Sequence, residues 1–309
     1  MSINTCLVYS QDKIYFDQNP PSDIPEIFAR GIISDQYGNR VMTISPGGDE
    51  LFFTLQYSRG LISAVLYSQK INGKWTSPEV ALFSGSYNDL EPAFSPDGSK
   101  LYFVSNRPLQ QNGNKKDFDI WYATKENGKW QSIVHAGAAV NSEKDEFYPS
   151  VTKSGNIYFT RGAKGREEDI FMCRFTDGKY TPAEALSDSV NSAFGEFNAF
   201  VDPDETFIIF SSFGRKDDLG NGDLYISKNT QHGWASATHL SSPVNSAALD
   251  YCPYISPDKK YFFFTSGRHA IKIPFNKPQT ISSLHSLLQD PLNGYDNIYW
   301  MNAEAVLNK

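Results

Sequence analysis

Carboxylates and arginines recur at matching places along this chain: Glu91 with Arg107, Glu146 with Arg161, Glu196 with Arg215 and Asp250 with Arg268. Each acid stands just before one hydrophobic run and each arginine just after the next, and Asn39 and Arg59 hold the same places in an earlier segment. A carboxylate and a guanidinium can lock bidentately and fix a loop. The same groups left facing a cavity can grip a peptide, sugar or anion, or act as an acid and base pair. The choice depends on the elements that position them.

Those elements repeat. Ser95-Pro96-Asp97-Gly98-Ser99-Lys100-Leu101-Tyr102-Phe103 has counterparts beginning at Ser45, Thr152, Asp202 and Ser256. The interval is roughly fifty residues, a period of solenoids, arrays or propellers. In Ser95-Pro96-Asp97-Gly98 the proline presets φ at the second turn position and the glycine takes the positive φ that follows a type I turn. Each unit therefore opens as a tight hairpin. Leu101-Tyr102-Phe103-Val104 is apolar on both faces, as a strand covered on both sides must be. Asp119-Ile120-Trp121, Asp169-Ile170-Phe171, Asp223-Leu224-Tyr225 and Asn297-Ile298-Tyr299 mark a third strand. Gly73-Lys74-Trp75, Gly128-Lys129-Trp130, Gly178-Lys179-Tyr180 and Gly233-Trp234 open a fourth. Four-stranded antiparallel sheets repeated around an axis are the blades of a β-propeller.

The last unit ends after Asn297-Ile298-Tyr299-Trp300-Met301, one strand short, while the segment from Pro25 to Gly31 resembles the outer strand running from Pro78 to Gly85. The N-terminal segment is therefore expected to complete the last blade and leave no open sheet edge. The expectation is an all-β fold, a five-bladed propeller over residues 25–309 after an N-terminal arm over 1–24. Six blades is the alternative, and it needs residues 1–24 or 269–295 to build a blade without the turn signature.

Composition sets limits. A chain of 309 residues, 40% hydrophobic and 14% aromatic, suffices for one large domain. A net charge of -7 without any Lys/Arg cluster argues against nucleic acid as a partner. No apolar run approaches the length of about 18 residues that membrane insertion requires. Met1-Ser2-Ile3-Asn4-Thr5-Cys6 lacks the regions of a signal peptide, so the chain as written reads as cytoplasmic, and as periplasmic if a leader was removed. Cys6, Cys173 and Cys252 are odd in number and form no disulfide framework; Cys252 reads as a buried filler, with a reactive thiol near the channel as the alternative. The five histidines lack metal-ligand spacing, and His135 and His239, at equivalent places on outer strands, read as solvated. The loop from Asp217 to Asp223 lacks the closing glutamate of a calcium loop. Neither a metal nor a cofactor is expected.

The Ser-Pro-Asp-Gly turn, the strand ending in Ser105-Asn106-Arg107 and the Asp119-Ile120-Trp121 strand resemble the WD40-like repeat of TolB-type propellers, the PD40 repeat, over about residues 25 to 302. The resemblance implies a propeller. That repeat occurs in translocation-associated binding proteins and in propeller domains attached to peptidases. The peptidases carry their activity on a separate α/β domain, and this chain has no Gly-x-Ser-x-Gly elbow. Lys153 in place of the turn proline and Gly47 in place of the turn aspartate depart from the pattern.

Strand one begins and strand two ends at the same rim, so the Glu/Arg pairs are expected at one mouth of the channel. Loops at 108–118, 216–222 and 269–295 emerge there too. In the last, Leu284, Leu287 and Leu288 suit one face of a short helix capped near Ser282 or Ser283, placed as a lid over the channel mouth or, alternatively, as a plug of the rim. Asp119, Asp169 and Asp223 read as acceptors for nearby backbone or arginine groups. The function expected is a non-catalytic binding or scaffold propeller that holds a protein segment or small polar ligand. Its rim residues are Glu91, Arg107, Glu146, Arg161, Glu196, Arg215, Asp250 and Arg268. The alternative is a carbohydrate- or peptide-acting hydrolase or lyase, which needs a rim acid free of arginine, with Asp250 and Glu146 the first candidates.

Overall fold

The turn that opens each unit closes the same way five times. The amide of its fourth residue donates to the carbonyl of its first, from Gly48 to Ser45, Gly98 to Ser95, Gly155 to Thr152, Glu205 to Asp202 and Lys259 to Ser256, at 2.7–3.0 Å. All five fourth residues have left-handed backbone, including the non-glycines Glu205 (φ 55°) and Lys259 (φ 57°). The computed structural model describes residues 14–110, 113, 117–162 and 168–309, apart from the Arg59 side chain. Cys6 lies outside the described residues.

Five four-stranded antiparallel blades follow. Blade 1 runs through Gly38–Ile44, Glu50–Tyr57, Ile62–Ile71 and Glu79–Val80; blade 2 through Asp89–Phe94, Lys100–Ser105, Asp119–Glu126 and Lys129–His135. Blade 3 comprises Glu146–Val151, Ile157–Arg161, Asp169–Cys173 and Glu184–Ala185, and blade 4 Gly195–Val201, Phe207–Phe213, Asp223–Thr230 and Thr238–His239. Blade 5 has Asp250–Ile255, Tyr261–Ser266 and Asn297–Asn302 from the C-terminal part of the chain, and its outer strand is Glu26–Ile27, with Glu26 opposite Trp300 and Ile27 opposite Tyr299. The N-terminal segment thus closes the ring as expected.

The Gly-Lys-Trp segments are not the whole fourth strand. In blades 1, 3 and 4 they form a two-residue ribbon with the overhanging end of the preceding chain, and the outer strand proper starts a few residues later. Only in blade 2 is the strand continuous, with a register shift between Trp130 and Ser132. The hairpin overshoots the sheet, and the chain needs an irregularity to return to its partner.

Hydrophobic packing lies between blades. Five buried clusters each join two neighbours: Phe52 with Trp121, Leu90 with Phe159, Tyr158 with Phe210, Ile209 with Phe262, and Phe53 with Phe263 and Trp300. Each blade hides both faces this way, so the strands need no alternation of polar and apolar residues. The described part of the arm joins the last seam: Tyr15 packs its ring on Phe28, Trp75, Tyr261, Phe263 and Trp300, and Phe16 stacks on Trp75. No helix among the described residues is long and apolar enough to cross a membrane.

The helix in blade 5 forms at Ile281–Gln289, but its cap is Thr280, not Ser282 or Ser283. Thr280 accepts from the Ser283 amide while the Ser283 hydroxyl accepts from the Thr280 amide, a reciprocal box that only the earlier residue can start.

Candidate functional site

At the rim the charges pair, with one change of partner. Arg161 meets Glu146 at 2.6 Å, Arg215 meets Glu196 at 2.8 Å and Arg268 meets Asp250 at 3.0 Å. Arg107 pairs with Asp89 at 2.7 Å, not with Glu91. Strand register explains the change: Asp89 stands opposite Ser105 just as Asp250 stands opposite Ser266, and Glu91 lies two residues deeper. In blade 1 the amide of Asn39 takes the same place and donates to Asp35.

Each of these arginines does three things. It pairs with the acid of its own blade, stacks on aromatic rings such as Phe103, Phe159, Phe210 and Phe264, and donates to a carbonyl of the preceding connection. Those carbonyls belong to Phe83, Val140, Val190 and Val244. The last three begin a Val-Asn-Ser sequence that recurs at 140, 190 and 244 and that sequence reasoning missed. Its asparagine side chain mimics a strand: Asn141, Asn191 and Asn245 each accept from and donate to the backbone of Ile120, Ile170 and Leu224. Its serine caps the next acid, with Ser142 on Glu146, Ser192 on Glu196 and Ser246 on Asp250. Valine, asparagine, serine, acid and arginine make one fastener between successive blades. Burial raises the Glu146 and Asp250 carboxyls above the usual range, opposed by these serines and arginines.

The histidines at the outer strands are not solvated. His239 lies 2.7 Å from Asp223, and His135 lies 3.4 Å from Asp119. The Nδ1 of each accepts a backbone amide, and the Nε2 of each also lies against the Nδ2 of a strand-mimicking asparagine, Asn141 at 2.8 Å and Asn245 at 2.9 Å. Asp223 also accepts from the Leu219 amide, as expected of a strand-three aspartate.

The channel axis holds the least expected arrangement. Every inner strand has a register irregularity, and the residue there is left-handed: Val41 (φ 48°), Glu91 (57°), Tyr148 (52°), Asn198 (49°) and Cys252 (53°). These five are buried, and Val41, Tyr148 and Cys252 pack together with Tyr251. Arg40 donates to Glu91 at 2.6 Å, the Tyr148 amide donates to the other Glu91 oxygen at 2.6 Å, and Arg40 lies over the Tyr251 ring. In other seams a threonine hydroxyl of the preceding blade receives the amide of the ring residue: Thr54 from Glu91, Thr160 from Asn198 and Thr265 from Val41. Blade 2 has Val104 in that place, and the Glu91 carboxylate substitutes for the missing hydroxyl. Burial raises the Glu91 carboxyl above the usual range, and the Arg40 guanidinium pulls it back. Burial also pushes the Cys252 thiol far up, and Cys173 up to about 11, so both are inert fillers.

Glu91 and Tyr148 also floor a cavity of about 270 Å³ that opens at the turn end, opposite the Glu/Arg rim. Ile44, Phe94, Val151, Phe200 and Ile255 wall it, and the turn prolines frame its mouth. Of the mouth charges, Lys259 pairs with Asp202 at 2.6 Å and Lys153 with Asp204 at 2.9 Å. No residue of the blade 5 helix lines this cavity. The segment that follows the helix is tied to the connection after the outer strand through Asp290 with Arg30 and Asn293 with Gln36. Among the described residues no group of three His, Cys, Asp or Glu is placed to share a metal ion.

No protein-family profile matches the sequence, and no curated protein matches it. Solved structures similar to it include a protein described as TolB from Agrobacterium tumefaciens, 16% identical, covering 86% of this chain and 90% of that one, with a TM-score of 0.49. TolB from Acinetobacter baumannii is 13% identical with a TM-score of 0.48; the match covers 87% of this chain and 55% of that one, so this chain spans a little over half its length. A protein from Dyadobacter fermentans is 13% identical, covering 90% and 96%, with a TM-score of 0.47. The fold stands on the strand pairing, independent of these likenesses.

Proposed function

We propose that this chain is a non-catalytic binding or scaffold propeller, and that its turn-end cavity receives an apolar side chain of a protein segment. The observation that carries this is a cavity with apolar walls whose surrounding charges are already paired, Glu91 with Arg40, Lys259 with Asp202 and Lys153 with Asp204. A guest therefore needs no charge. The volume of about 270 Å³ falls just below the range of about 300–1,000 Å³ for drug-sized ligands and suits a single inserted side chain. On this reading the seven other expected site residues hold the scaffold, and Glu91 floors the site. The hydrolase reading draws no support from the rim, where Glu146, Glu196 and Asp250 are each held by an arginine.

The test is a thermal-shift screen of the full chain against short peptides, sugars, nucleotides and divalent metals, repeated with Ala93→Phe, which fills the cavity, and with Arg268→Ala. A ligand of the folded state raises the melting temperature by linkage. The proposal expects an apolar peptide to shift the wild type and not Ala93→Phe. A shift that survives Ala93→Phe and vanishes in Arg268→Ala moves the site to the rim. Turnover of a sugar or peptide refutes the non-catalytic reading.

A further inference from the structure

The excursion between strands two and three of blade 5 carries its apolar face outward. None of the residues of the helix Ile281–Gln289 is buried. Ser283, Ser286 and Leu287 face a crevice shared with Ile271, Pro274 and Phe275. The opposite face shows Ile281, Leu284 and Leu288, spaced i, i+3, i+7 and 75, 40 and 58% exposed. Ile273, on the chain leading into the helix, is 81% exposed. A surface helix packed on its own core turns such a stripe inward; this one turns it to solvent.

Charge distinguishes what would cover the stripe. Lys272 and Lys277 flank it, both exposed and without a carboxylate partner among the described residues. Between residues 269 and 290 the one acid is Asp290, and Arg30 neutralises it at 2.6 Å. A locally basic, apolar projection thus stands on a chain whose net charge is -7.

We propose that this excursion docks the propeller peripherally on an anionic lipid surface. Ile281, Leu284, Leu288 and Ile273 would enter the boundary between headgroups and acyl chains, with Lys272 and Lys277 at the phosphates. Protruding side chains from both loop and helix suit a flat surface, and each lysine near such a surface contributes about fivefold in partition. With one short helix and no second anchor, the association is weak, reversible and sensitive to salt.

The test is co-sedimentation of the full chain with vesicles of phosphatidylcholine alone and of phosphatidylcholine mixed with phosphatidylglycerol. The variants are Leu284→Glu with Leu288→Glu, and Lys272→Ala with Lys277→Ala. All four side chains are exposed, so unchanged thermal unfolding verifies that the variants fold. The wild type is expected to sediment with the anionic vesicles and not the neutral ones, and each double variant to lose about tenfold or more in partition. A wild type that stays in the supernatant with anionic vesicles overturns the proposal, as does binding that both variants leave intact. Concentration-dependent dimerisation abolished by the leucine variant, without vesicle binding, assigns the stripe to a second copy of the chain instead.

Discussion

Replacing Arg40 with methionine isolates the electrostatics of the channel axis. Methionine keeps much of the arginine stem but removes the guanidinium 2.6 Å from Glu91, leaving that carboxylate buried with only the Tyr148 amide and a long contact to Asn198. Removing one partner of a buried pair costs about 3–5 kcal/mol, and that cost applies while Glu91 is ionised. Burial already raises the Glu91 carboxyl, and losing Arg40 raises it further. A raised folded-state value means that the folded chain holds a proton the unfolded chain has released. The stability this gives is present below the ordinary glutamate value and is lost as pH rises through the folded value. Arg40→Met is therefore expected to lose about 3–5 kcal/mol near pH 8 and much less under mildly acidic conditions. Adding Glu91→Gln removes the buried charge and retains an acceptor for the Tyr148 amide, so the double variant should recover most of the loss and show little pH dependence. Urea unfolding followed by tryptophan fluorescence at several pH values measures all three chains, read as midpoint at constant slope. A loss in Arg40→Met that is the same at every pH, or a double variant as unstable as the single, refutes the reasoning.

Asn191→Ala removes the side chain that accepts from the Ile170 amide at 2.9 Å and leaves that amide buried without a partner. It should cost about 2 kcal/mol or more in the same assay; a change within about 0.5 kcal/mol, the range of an ordinary surface substitution, would remove the strand-mimic role. In a Cys6→Ser variant, the two remaining thiols are buried and Cys173 is pushed up to about 11, so neither should react with a disulfide reagent at neutral pH. Both should react once the chain is unfolded, and rapid labelling of the folded chain would contradict the filler reading.

The fold was legible because turn chemistry is local. Gly98 and Gly48 announce positive φ whatever surrounds them, and the missing final strand pointed to the segment at Pro25. The rim was legible in type but not in register. Asp89 lies three residues before Pro92, as Glu146 lies before Pro149 and Asp250 before Pro253, and that spacing could have displaced Glu91 from the rim. The fasteners were also within reach, since Val-Asn-Ser recurs three times, but their role depends on carbonyls and amides that carry no sequence signal. The axis was not legible. A bulge makes its five residues equivalent, and their types have nothing in common. The cavity at the turn end followed from packing between blades, which strand patterns do not describe.

The closure of blade 5 by Glu26–Ile27 carries a consequence for synthesis. Glu26–Ile27 is made long before Trp300 and Tyr299, the residues it pairs with. While blades 1 to 4 assemble, this segment stays without its partner, and the contact that closes the ring must span all four of them, a slow and entropically costly step. Until then Asn297–Asn302 presents an unpaired edge. In a crowded solution of nascent chains that edge can also accept Glu26–Ile27 from a neighbour, so the same short strand that seals one molecule offers a route by which two molecules exchange parts.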